Sequence, residues 1–159
     1  MIGLVAVGSG LAMRGVSEDR RLCEGGIPVE ETGPRYAVRV FEGVIPYELD
    51  FGVMFHDMVR SEHGSRALVS GFATFEPGCA LPLHTHNVEE VVTVLEGDAE
   101  CEVDGQTCCL RTHDTTFVRP GVPHRFRNLS QVSLLRILWV YAQVDDQGRR
   151  VRVERNVLA

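Results

Sequence analysis

The chain of 159 residues lacks any run of about 20 apolar residues, the length a helix needs to span a bilayer. Its apolar opening, residues 1–13 (MIGLVAVGSGLAM), is too short for that. No positive charge precedes it and no A-x-A cleavage site follows, which argues against a signal peptide. Gly8 and Gly10 begin a GxGxxG pattern, but Met13 stands where the last glycine belongs, so a dinucleotide-binding turn is excluded. The segment reads either as an arm that pairs with a neighbouring subunit or as residues upstream of a true start at Met13, and both readings stay open. There is no CxxC pair among Cys23, Cys79, Cys101, Cys108 and Cys109, which removes a zinc ribbon. An odd, irregular set of five also argues against a disulfide framework and points to a reducing, cytoplasmic setting. Basic surplus is missing too. At a net charge of −6 the chain has no electrostatic reason to hold nucleic acid or an anionic membrane, and neither is expected as a partner. Repeats, low-complexity tracts and amphipathic helices longer than about ten residues are absent.

What remains is a series of short β-like runs. Residues 14–34 are charged and rich in Gly and Pro, so residues 1–34 read as a flexible N-terminal arm. Residues 35–66 read as N-terminal strands and a loop packing on a barrel, with a strand at Tyr36–Phe41, an apolar stretch without clean period at 51–58 and a polar turn at 60–66. From residue 67 the pattern is regular. ALVSGFATF (67–75), VVTVLEG (91–97), AECEV and QTCCL around Asp104-Gly105, TTFV (115–118), HRFRN (124–128) and SLLRILWVYA (133–142) alternate or are β-branched, and Gly, Pro and Asp punctuate them. Asp-Gly between two such runs signals a type I′ hairpin, which needs positive φ at both central positions. A turn at 145–148 leads into a last strand-like stretch. The fold class is all-β, a sandwich or a barrel, with residues 67–159 as its core and C-terminal strand.

Chemistry concentrates in GCALPLHTHNVEEVVTVLEG (78–97). His84 and His86, two apart on a strand, put both rings on one face with their Cα atoms about 6.6 Å apart, close enough for the rings to converge on one ion. A straight strand would carry Glu90 about 13 Å beyond His86, too far to share that ion. The chain must therefore turn at Thr85–Glu89, which Asn87 suits, and return Glu90 beside the histidines, with Val92 and Val94 inward. PGVPHRFRN (120–128) supplies a rigid turn and then His124. Phe126 and Asn128 share its face, while Arg125 and Arg127 fall on the solvent side. Three imidazoles and a carboxylate suit one divalent transition metal ion among Fe, Mn, Ni, Cu, Co and Zn. Around an octahedral ion they would leave two adjacent positions for substrate, water or dioxygen.

Gly78-x5-His84-x-His86-x3-Glu90-x6-Gly97 resembles the first motif of the cupin superfamily without departure. His124-x3-Asn128, preceded by Gly121, resembles the second, which departs at His113 (a glycine position) and Arg119 (a proline position). The resemblance covers residues 67–142. It implies a single β-barrel of the double-stranded β-helix or jelly-roll type, a metal on His84, His86, Glu90 and His124, and a homodimer, often formed by exchange of N-terminal strands.

The function it implies is metal-dependent chemistry on a small oxygenated organic substrate. Dioxygenation of the quercetin dioxygenase-like kind is preferred, with Glu90 as ligand and candidate base. Isomerase, decarboxylase or lyase chemistry using the metal as Lewis acid stays open, as does non-catalytic binding or sensing of a small molecule. Arg136, His56, Phe126 and Val92 are candidates for the substrate pocket. For Arg136 an internal pair with Asp or Glu is the alternative, and for His56 a core or surface role. His113 and His63 read as surface residues.

Overall fold

A computed structural model describes residues 36–145 and 147–158. The arm read at 1–34 lies outside them. Eleven strands follow in order: β1 (Tyr47–Asp50), β2 (Val53–Val59), β3 (Leu68–Phe75), β4 (His84–His86), β5 (Glu90–Glu96), β6 (Ala99–Val103), β7 (Gln106–Leu110), β8 (Thr115–Val118), β9 (His124–Asn128), β10 (Leu135–Ala142) and β11 (Arg155–Val157). They form two antiparallel sheets, β1-β2-β3-β10-β5-β8 and β11-β4-β9-β6-β7. This is the jelly-roll arrangement expected, but among the described residues no ladder joins the two sheets into a closed barrel.

Period-two alternation builds the layers. Leu135, Ile137 and Trp139 on β10 are buried, and so are Val92 and Val94 on β5 and Phe126 on β9. With Val53, Phe55, Phe75 and Cys101 they form the core between the sheets. The Asp104-Gly105 turn has φ of 51° and 73°, so both central residues take the positive φ that the type I′ reading required.

Two local readings need correction. Tyr36–Phe41 is not a strand; residues 36–40 are irregular and Phe41–Gly43 is a 3-10 turn. The stretch at 51–58, read without a period, contains β2, which pairs with β3 from Val53↔Phe75 to Val59↔Ser70. With β1 it extends the six-stranded sheet edgewise.

Asn128 pins the loop that links β9 to β10. Its amide donates to the carbonyls of Phe75, Glu76 and Ser133 at 3.3, 3.2 and 2.8 Å, and its carbonyl accepts from Ser130 N–H at 3.0 Å. An amide carries two N–H donors and a carbonyl acceptor, so with one N–H shared between two carbonyls it can serve both the carbonyls and the N–H that meet here.

Candidate metal centre and adjoining pocket

Five polar residues are buried among the described residues: His84, His86, Glu90, His124 and Asn128. Asn128 is hydrogen-bonded throughout. The other four face one another across the interior, with one donor atom from each lying within 4.8 Å of all the rest. Burying a carboxylate with three imidazoles is unfavourable unless something pairs with them.

The local chain explains the convergence. β4 ends at His86 and β5 begins at Glu90, so the required turn occupies residues 87–89. His84 and His124 are directly opposed where β4 meets β9. Gly121 (φ 77°) closes the turn before β9 and donates its N–H to the His86 carbonyl at 2.7 Å.

Each imidazole is oriented by its Nδ1. The partners are the carbonyls of Pro82 (2.7 Å), Glu154 (3.0 Å) and Val122 (2.8 Å) for His84, His86 and His124. Donation from Nδ1 fixes the tautomer that leaves Nε2 as a lone-pair donor, the arrangement that ligating histidines adopt. His86 Nε2, His124 Nε2 and Glu90 Oε2 then have no hydrogen-bond partner among the described residues. His124 Nε2 and Glu90 Oε2 stand 2.6 Å apart, an ion pair when the imidazole is protonated and two convergent donor atoms when it is neutral. Buried, unpaired, convergent N and O donors fit a divalent transition metal.

Burial pushes His84 down to about 3, and it also lowers His86, so both are held in the neutral form a metal needs. For His124 burial also acts downward, but the Glu90 carboxylate beside it outweighs that and the net shift is upward.

A cavity of about 310 Å³ opens beside this cluster, and His86 is the ligand that lines it. Phe55, Tyr47, Trp139 and Tyr141 give it aromatic walls, and Arg60, Arg152, Arg155 and Asp57 charge its rim. Tyr141 packs on His86 with ring centroids 4.5 Å apart, and Trp139 stacks on Tyr141 at 5.0 Å. Burial, and after it the charge and hydrogen-bond acceptance of Glu90, raise the Tyr141 hydroxyl well above the usual phenol value.

The expected pocket residues are placed elsewhere. Arg136 is on the outer face of the six-stranded sheet, bonded to Thr74 Oγ1 (3.4 Å), 3.7 Å from Glu96 and over the Phe41 ring. The reason is register, because the Leu135–Ile137–Trp139 set faces the core and turns Arg136 outward. The blander alternative for Arg136, a carboxylate within the chain, describes its surroundings. His56 is on that same outer face, stacked on Phe41 at 4.4 Å. Val92 and Phe126 are core residues, with the Phe126 ring 6.5 Å from that of His124. None of the four lines the cavity at His86.

The sequence reading missed Tyr141 as a site residue and, although it expected a C-terminal strand, missed that this strand lies beside the ligands. A partial signal for Tyr141 was present, since alternation puts it on one face with Leu135, Ile137 and Trp139, but both faces of that strand are apolar and the pattern did not say which looked inward. For the C-terminal residues there was none. Asn87 grips that segment by donating to the Arg152 carbonyl (2.8 Å) and accepting from Glu154 N–H (2.7 Å). These contacts span more than sixty residues of sequence.

Residues 71–141 match the family model of the Cupin domain, and all four ligand candidates lie inside that span. The chain therefore carries a cupin domain. Among curated proteins it is similar to the HTH-type transcriptional regulator PuuR of Escherichia coli, 32% identical over 74 residues, 46% of this chain and 40% of that protein. It is also similar to the polyketide synthase CurC of Streptomyces cyaneus, 36% identical over 67 residues, 42% of this chain and 44% of that one. The chain thus spans about two fifths of the length of these curated relatives. In three dimensions it resembles the polyketide cyclase RemF from Streptomyces resistomycificus, with a TM-score of 0.63 and 21% identity over 77% of this chain and 87% of that one. At that identity the likeness concerns the fold. Among the described residues no helix is long and apolar enough to cross a membrane.

Proposed function

We propose that this chain is a metal-dependent enzyme acting on a planar, oxygen-rich small molecule with neighbouring carbonyl groups, and that it promotes carbon–carbon ring closure. The observation that carries the reading is the juncture at His86: one residue belongs both to the donor cluster and to an aromatic-walled cavity. Flat π-faces suit a flat substrate, and the similarity to the polyketide synthase CurC supports a polyketone-like one. A divalent metal, when bound, supplies Lewis-acid polarisation of a substrate carbonyl.

The chain's own residues supply the rest. His84, His86 and His124 hold their Nε2 atoms toward one point because each Nδ1 is tethered to a backbone carbonyl. Glu90 serves as ligand and accepts a proton from the acidic carbon between two carbonyls. Tyr141, kept protonated by burial and by Glu90, donates its proton to the oxygen of the carbonyl being attacked as the carbon–carbon bond forms and the C=O π bond breaks. The proton on Glu90 returns to Tyr141, and the new hydroxyl then leaves as water with a second proton from the carbon between the carbonyls, which closes the ring double bond. Trp139 and Tyr141 fix the plane of the substrate and keep bulk water from the reacting carbons.

The test is incubation of Fe(II)-, Mn(II)-, Ni(II)- and Zn(II)-loaded protein with a linear triketone, followed by mass spectrometry and an oxygen electrode. A product lighter by one water, formed without oxygen uptake, is the expected result. Oxygen uptake with β-diketones, flavonols or catechols would instead support the dioxygenase chemistry that the motif suggested, at the same residues. The similarity to the regulator PuuR favours a second reading, a ligand-sensing module. Tight binding of a small acid or sugar with no turnover under any metal would establish that reading and remove the enzymatic one.

A further inference from the structure

Besides His86 Nε2, which belongs to the donor cluster, three polar atoms of cavity-lining residues are buried and lack a hydrogen-bond partner among the described residues: Arg155 Nη2, Trp139 Nε1 and Gln143 Oε1. Leaving such a group unsatisfied costs about 1–3 kcal/mol, and more when it is charged. Two donors and an acceptor without partners, on residues that line one cavity beside a donor cluster, point to a polar ligand packed against these side chains.

Arg155 is the most constrained of the three. It lies on β11, opposite His86 in the ladder with β4, outside the residues that match the family model. Its Nη1 donates to Asp50 Oδ2 at 2.8 Å, and the two side chains are only 18% and 16% exposed. The segment cannot drift from the metal ligands. His86 Nδ1 holds the Glu154 carbonyl, Asn87 holds Arg152 and Glu154, and Leu158 N–H bonds the Leu83 carbonyl. Asp50 thus orients the guanidinium, and Nη2 is left over.

Charge gives the ligand's sign. Arg60, Arg152 and Arg155 line the cavity against Asp57, with Asp50 bonded to Arg155. Three cations against two carboxylates leave a positive surplus before any metal is counted. An anionic oxygen entering this cavity meets a favourable field, and a neutral group of the same shape does not.

We propose that Arg155 is a substrate-binding residue that takes the carboxylate of a planar aromatic or polyketone acid through Nη2, with Trp139 Nε1 as a second donor and the ring plane lying along Trp139 and Tyr141. This rests on the reading of the His86 cavity as the substrate site, and it names the class of molecule that the site selects. An Arg–Asp pair of purely structural purpose would give stability but no preference for a charged ligand.

The test is calorimetric titration of zinc-loaded full-length chain with 1-hydroxy-2-naphthoate and with its neutral amide, alongside elemental analysis. Wild type is expected to bind the acid at least roughly tenfold more tightly than the amide, as one desolvated charge pair warrants. Arg155→Met should abolish that preference with zinc content unchanged, and Arg155→Lys should restore part of it. Equal binding of acid and amide by wild type, or a preference that survives in Arg155→Met, overturns the proposal. Should Arg155→Met fail to fold or to load zinc, Trp139→Phe decides. It keeps an aromatic face, though a smaller one, and removes the N–H, and an acid preference as large as in wild type overturns the proposal. These readouts are independent of turnover. An Arg155-dependent preference in a protein that closes no ring would refute the proposed activity and leave this assignment standing.

Discussion

The two halves of the site are built differently. The donor cluster draws on three short strand ends, β4, the start of β5 and the start of β9, and every one of its side chains is buried. The adjoining cavity draws on β1, β2, β3, β10 and the C-terminal segment, and two of its charged side chains, Arg60 and Arg152, reach solvent. The cluster is a local product, in which spacing and one turn suffice. The cavity is a product of the whole fold, with its walls supplied by residues more than a hundred positions apart, from Tyr47 to Arg155. A fixed reactive centre can therefore be kept while the walls that choose the molecule change around it.

The sharpest way to break this comparison is to remove a ligand. Glu90→Ala and His84→Ala should each lower bound metal from about one ion per chain to a trace, because three-ligand remnants lose affinity by orders of magnitude. Arg152→Ala, at the cavity rim, should leave metal content as in wild type. Elemental analysis of protein purified without a metal-binding tag reads both. Unchanged metal in Glu90→Ala and His84→Ala would show that the four residues are not the site.

The next effect falls on the cavity wall. Gly71 in the middle of β3 is opposite Trp139, and a Cβ there would lie 2.2 Å from the His56 carbonyl oxygen and 2.4 Å from Trp139 Cζ2. Neither the backbone nor the indole can yield without shifting β2 or unseating the aromatic wall. Gly71→Ala should destabilise by roughly 3 kcal/mol, the range for overpacking a filled site. Thermal unfolding checks this, and metal binding at low temperature should persist. A loss under about 0.5 kcal/mol would mean that the wall is looser than the contacts imply.

That contrast also explains what could be read from sequence. Glu90 was legible because a straight strand carries it away from His86 and only a turn brings it back. Val92, Val94, Phe126 and Asn128 followed by alternation, and the hairpin followed from Asp104-Gly105. Arg136 was misplaced because both faces of β10 are apolar, so alternation could not say which looked inward. β2 was hidden for a related reason: it carries His56 and Asp57 among apolar neighbours. β11 pairs with β4 through contacts that no local pattern announces, so Arg155 was invisible until the strands were assembled.

Acid should separate the halves by their protonation. His84 has a folded-state pKa of about 3 against an ordinary 6.5, so the fold favours its neutral form. Its contribution to stability is complete above about pH 6.5 and declines as pH falls from there toward 3, by at most roughly 1.4 kcal/mol per unit. His86, also lowered, acts with the same sign. His124 is raised, so its pairing with Glu90 is at full strength below its ordinary value and weakens as pH climbs through the raised one. The metal-free protein should therefore melt at progressively lower temperature from about pH 6.5 to about pH 4. The metal-loaded protein should fall more steeply, since protonated imidazoles release the ion. A metal-free melting temperature that stays flat over that interval would refute the burial argument for His84.

The smallest effect tests where the chain departs from the motif. His113 stands at a glycine position and has φ of 79°, while its N–H still bonds the Val94 carbonyl at 2.8 Å. The turn has kept its shape and carries the strain in one residue. A left-handed conformation costs an L residue about 1–2 kcal/mol. Glycine adopts it freely but gives up about 0.5–1 kcal/mol to the greater freedom of its unfolded chain. His113→Gly should therefore stabilise the protein by about 0.5–1 kcal/mol, read as a higher urea midpoint at unchanged slope. Asp104, at φ 51° in the hairpin, is the control: aspartate tolerates that region, so Asp104→Gly should change little. If His113→Gly destabilises instead, the exposed imidazole contributes more to that turn than its backbone strain removes, and the departure is an adaptation of this chain. Metal content should stay that of wild type in either case, because the strain lies in a loop that touches none of the four ligands.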